Sequence, residues 1–125
     1  MHWTIEPGPD DRYLVIRTGG QFTVEENLEM VTAILAHPAW RPGQATLFDH
    51  RELDLGQAGY DAMVRAAAIH RAHEDQIGDG KAALVMGSAG AFGTGRQFEM
   101  LLSGETATRL RIFTSIEDAR RWLEA

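Results

Sequence analysis

Three stretches of the sequence gather side chains of the kind that do chemistry. In Asp49-His50-Arg51 an acid, an imidazole and a guanidinium follow one another directly after the apolar run Ala45–Phe48. Between Gly87 and Arg96 the chain reads Gly-Ser-Ala-Gly-Ala-Phe-Gly-Thr-Gly-Arg, interleaving glycines with Ser88 and Thr94. A glycine-rich turn at a helix N-terminus can aim backbone N–H groups at an anion, and Arg96 would add a charge. His70 and His73 lie three residues apart with Glu74 following, a spacing that puts two imidazoles on one helix face.

Each stretch falls short of a defined motif. The glycine segment has neither the Lys-Ser/Thr ending of a P-loop nor the Gly-x-Gly-x-x-Gly spacing after a first strand. Its glycines read more simply as points of close approach between a helix and its neighbours. His70 and His73 fit neither His-Glu-x-x-His nor His-x-x-Glu-His and bring no third ligand, so no metal site is expected. They read as the polar margin of a helix, titrating near neutrality. No Gly-x-Ser-x-Gly elbow and no Ser-His-Asp order supplies a nucleophile. Asp49 and Arg51 suffice for one another as an ion pair, and Ser88 and Ser115 as helix caps. The expectation is a protein without catalytic residues and without a cofactor. Its competitor is a small-molecule enzyme in which Asp49, His50 and Arg96 converge on one pocket at the ends of the strands.

Composition narrows the field further. A chain of 125 residues suits one domain, taken here as 1–125, and 44% hydrophobic residues suffice for a core. Cysteine is absent, which excludes a disulfide scaffold, a thiolate zinc site and a cysteine nucleophile. No apolar run approaches the ~20 residues of a membrane span, and Met1-His2-Trp3 lacks the pattern of a signal peptide. A soluble, cytoplasmic domain is therefore expected. The net charge of −6 is uneven: residues 1–80 hold thirteen acids and six bases, residues 81–125 five and six. An acidic chain of this kind is not expected to bind nucleic acid.

The elements that must position these residues follow from periodicity. His2–Glu6 alternates apolar and polar as a half-exposed strand, and Pro7–Asp11 is a turn. Arg12–Arg17 is a second strand, ended by Gly19-Gly20 and paired with the first as a hairpin. Thr23-Val24-Glu25-Glu26 has the form of a capping box before Val24, Leu28, Val31 and Leu35, which recur at helical spacing until Pro38. Ala45–Phe48 and Ala82–Met86 are apolar on both faces, as central parallel strands are. A second helix is predicted over about 58–76, a third from Ser88 to Gly104, a last strand over 108–113, and a final helix opened by Ser115. Arg109 and Arg111 on the last strand would guard a sheet edge. The order is β-β-α-β-α-β-α-β-α: a mostly parallel five-stranded sheet with one antiparallel strand and helices packed on it.

That order resembles the bacterial SpoIIAA-like proteins. So do His37–Gly43 before a strand ending Phe48-Asp49-His50-Arg51, the segment Phe92–Glu99, and the ending Arg111–Leu123. These proteins are related in fold to the STAS domains of anti-sigma-factor antagonists, and some are grouped with CRAL-TRIO lipid-binding domains. The resemblance spans the chain but points to an uncharacterised branch, so it implies a fold more than a function. STAS antagonists carry a phosphorylated Ser or Thr after the third strand, whereas Asp49–Gly59 contains no Ser or Thr. The resemblance thus implies a binding module without that phospho-acceptor, for a protein partner or a small apolar, lipid-like or amphiphilic ligand. The residues expected at its site are Asp49, Arg51, Ser88, Gly90, Phe92, Arg96 and Phe98. A homodimer and a monomer both stay open.

Overall fold

A computed structural model, describing residues 1–125, gives five strands and five helices. The strands are β1 (His2–Pro7), β2 (Leu14–Gln21), β3 (Thr46–Asp54), β4 (Lys81–Met86) and β5 (Arg109–Phe113). The helices are α1 (Val24–Leu35), α2 (Tyr60–Ala72), the single turn α3 (Glu74–Ile77), α4 (Ala89–Leu102) and α5 (Ile116–Glu124). Strands lie side by side in chain order, β1 antiparallel to β2 and every later pair parallel. The expected architecture is what the chain adopts.

Local chemistry sets the element ends. Thr23 accepts from the Glu26 backbone at 3.1 Å and donates to the Glu26 carboxylate at 2.9 Å, while that carboxylate also holds the Met1 ammonium. Ser88 and Ser115 cap α4 and α5 by accepting from Ala91 and Asp118. β5 closes one edge, with Arg109 and Arg111 exposed as expected for a guarded edge.

Two strands are longer than the sequence reading made them. β2 runs through Gly19 and Gly20 to Gln21, and β3 runs six residues past Phe48 to Asp54. Gly19–Gln21 pairs with Glu52–Asp54, so the polar residues of each strand are held by the other's backbone. The register shifts between Arg17 and Gly19, leaving Thr18 at an irregularity of β2.

Helices cover the two faces unequally. On one face α5 alone packs, with Ala119 and Leu123 against Tyr13, Leu47, Ala83, Val85 and Phe113. On the other, α1 covers Leu14 and Ile16 through Met30 and Ile34, and α4 covers Ala82, Leu84, Met86 and Ile112. α2 packs on α4 and α1 rather than on the sheet. It therefore roofs the gap between them.

Candidate functional site

Under that roof lies a cavity of ≈ 140 Å³. Its floor is a row of alternate residues on β3 and β4: Thr46, Phe48 and His50, then Ala82, Leu84 and Met86. α1 supplies Met30, Val31 and Ile34, α2 supplies Met63, Ala66 and His70, and α4 supplies Thr94, Gly95 and Phe98. Eighteen of its 28 lining residues are hydrophobic, which makes it a site for apolar matter. Gly95 lets α4 sit close to the floor, since a Cβ there would lie 2.9 Å from Met86 Cε.

Two imidazoles reach this space from different elements. His50 is buried, 8% exposed, on β3, its ring 5.5 Å from that of Phe48 two residues earlier. Its Nδ1 lies 2.7 Å from the hydroxyl of Thr18, which also lies 3.4 Å from the Asp49 carbonyl oxygen. The break in β2 is what brings Thr18 there. Burial pushes the His50 pKa down to about 4, against a small opposing pull from the Asp49 charge. His70, on α2, is half-buried and edge-on to Phe98 at 6.5 Å. Its Nε2 meets Thr108 Oγ1 at 3.1 Å and Thr106 Oγ1 at 3.3 Å, and burial lowers its pKa as well. This corrects the expectation of a histidine titrating near neutrality on a solvated margin.

The residues singled out from sequence are dispersed. Strand alternation turns Asp49 and Arg51 away from His50, onto the α5 face, where Arg51 lies near Glu117. There they form a bidentate pair, Nε–Oδ1 2.9 Å and Nη2–Oδ2 2.8 Å, with the Arg51 N–H adding a third bond to Oδ1. That pairing holds the Asp49 carboxyl below its usual range and raises Arg51. Arg96 is exposed on α4 and paired to Glu99 at 2.7 Å. Asp49, His50 and Arg96 thus do not meet in one pocket. Ser88 and Gly90 lie exposed at the start of α4, outside the cavity. Phe92 packs beside Ile112 without lining the cavity, and Met100 is 69% exposed. Of the expected ligand residues, only Phe98 lines it. Gly90 and Gly93 approach nothing, so close packing accounts for Gly95 alone of the three helical glycines.

His73 spends Nδ1 on the Ile69 carbonyl while His70 faces the threonines, so the two rings serve different partners. No three His, Asp or Glu side chains gather closely enough to hold a metal ion. The turn into α2 is capped by Gly59 and has no Ser or Thr from Leu55 to Gly59. What sequence reasoning missed is the threonines that hold the two imidazoles: Thr18, Thr106 and Thr108. Only the alternation of β3, which separates His50 from its neighbours, was there to be read.

Fold and site together define a small α/β protein of SpoIIAA-like architecture with an apolar cavity between its sheet and a helical roof. The structure is similar to that of an uncharacterized protein from the DUF3478 family with a SpoIIAA-like fold, from Shewanella loihica PV-4. The two share 21% sequence identity over 98% of this chain and 92% of that one, with a TM-score of 0.60. At that identity the likeness is one of fold. No family model and no curated protein matches the sequence. No helix is long and apolar enough to cross a membrane.

Proposed function

We propose that this protein is a non-enzymatic binding module that takes a small apolar or amphiphilic molecule into the cavity beneath α2. The observation that carries the reading is the cavity itself, floored by Phe48, Leu84 and Met86 and closed above by Met63 and Ala66. Its size matches that of cavities of roughly 150 Å³ that stay dry and admit benzene. No free charge faces it: the Lys81 ammonium turns to the Trp122 carbonyl at 2.7 Å, and the Met1 ammonium to Glu26. An ion entering would lose its hydration without gaining a partner, so the occupant is uncharged.

Thermal denaturation with toluene as the probe tests this. Toluene is expected to raise Tm in a concentration-dependent way, as any ligand of the native state does. Ala66→Phe, which places a ring in the space from the roof, is expected to suppress the rise. Wild-type protein whose Tm does not respond to toluene would overturn the reading.

A further inference from the structure

His50 Nε2, His70 Nδ1 and Thr46 Oγ1 belong to residues that line the cavity and have no hydrogen-bond partner in the protein, and of the two imidazoles that of His50 is the more deeply buried. His50 makes a single hydrogen bond, through Nδ1. No fully buried side-chain nitrogen or oxygen in the protein lacks a partner, so the unbonded Nε2 of this 8%-exposed residue must open onto the cavity that His50 lines. The second imidazole differs. Thr108 donates its hydroxyl to the Gly78 carbonyl at 2.7 Å and therefore accepts from His70 Nε2, which leaves that nitrogen satisfied.

The neighbours of Thr18 decide what His50 Nε2 offers. The Asp49 carbonyl can only accept, so with the Thr18 hydroxyl donated to it at 3.4 Å the 2.7 Å contact to His50 is an Nδ1–H given to that hydroxyl, which is the tautomer we assign. A neutral imidazole carries one proton. With that proton on Nδ1, Nε2 is a bare lone pair on a residue that lines an apolar cavity. Such an acceptor, opening onto an apolar space, is free to take a hydrogen bond from a donor that enters it.

We infer that the ligand is a ring-sized apolar molecule bearing one uncharged hydrogen-bond donor, a hydroxyl above all, which it gives to His50 Nε2. This rests on the binding function proposed above and fixes its chemistry. Size sets the ring: the volume is that of one benzene-like molecule. The donor is set by Thr18, and neutrality by the inward turn of the Lys81 and Met1 charges to protein partners.

Phenol and toluene, alike in shape and different in the donor, form the test. Titration of the wild-type protein at pH 7 is expected to show phenol binding roughly tenfold more tightly than toluene, the value of about one net hydrogen bond. In His50→Phe, which keeps an aromatic ring beside Phe48 and removes the acceptor, the preference is expected to vanish while toluene still binds. Equal binding of both probes to wild type would overturn the inference and leave the binding function standing. Binding of neither would overturn both. Should His50→Phe not fold, the wild type decides alone through the ¹⁵N signals of His50. Nε2 is expected to be the unprotonated nitrogen and to shift with phenol but not toluene; a protonated Nε2 would overturn the assignment.

Discussion

His50 stores pH sensitivity in the fold. Its pKa is 6.5 when solvated and about 4 in the folded chain, so only the unfolded state takes up its proton between those values. The stability this supplies is complete above pH 6.5 and is lost as pH falls toward 4. The size is on the order of 3 kcal/mol across the window. His70 is shifted in the same direction and adds to the loss. Carboxylates held low by their partners, Asp49, Glu26 and Glu117, begin to lose their own contribution only as pH falls through their ordinary values of 3.8 to 4.5. Urea unfolding at pH 7 and pH 5 is therefore expected to show a clear drop that His50→Phe reduces. An unchanged drop in that variant would mean that His50 is not the residue responsible. The imidazole was legible as a chemical group beside Asp49 and Arg51. Its partner was not, because Thr18 lies 32 residues away and is delivered by a break in register that no local pattern announces.

At the scale of elements, α4 is weaker than its packing requires. Gly90 and Gly93 are helical and exposed, and a Cβ at either would meet nothing within 4 Å. Each therefore carries the entropic cost of glycine in a helix without a steric reason. Gly93→Ala is expected to stabilise the protein by about 1 kcal/mol, or ~4 °C in Tm, and Gly90→Ala by less because it sits in the first turn. Gly95→Ala should gain nothing, since its methyl must displace Met86 and press on Ile112 Cγ2 at 3.2 Å. Thermal melts of the three variants separate these cases. The elements themselves were legible wherever apolar period and caps agree, as at Thr23, Ser88 and Ser115. β3 was cut short because Asp49, Arg51, Glu52 and Asp54 look like a loop. Pairing with Gly19–Gln21 makes them strand, and alternation then sends Asp49 and His50 to opposite faces.

The molecule as a whole is a sheet covered tightly on one side and loosely on the other. α5 buries Ala119 and Leu123 directly on the strands, whereas α2 rests on α1 and α4 and leaves space below. Its outer attachment to α1 is an exposed ion pair, Arg65 to Glu25 at 3.1 Å, of the kind that holds little. Tyr60 and Val64 are left partly in solvent, at 58% and 36% exposed. The buried anchors of α2, Met63, Ala66 and Ala67, are one methionine and two alanines, and an element held by so little apolar area belongs toward the low-stability end of a protein's local openings. α2 is thus the part of the lining that gains most once the cavity is filled. Hydrogen exchange of the free protein is expected to show amides of 60–72 opening well before those of β3 and β4. Saturating phenol should slow exchange in α2 far more than in the sheet, because the ligand supplies the contacts that the roof lacks. Protection spread evenly over the chain would mean that the ligand stabilises only against global unfolding, and that the roof is as firmly held as the floor.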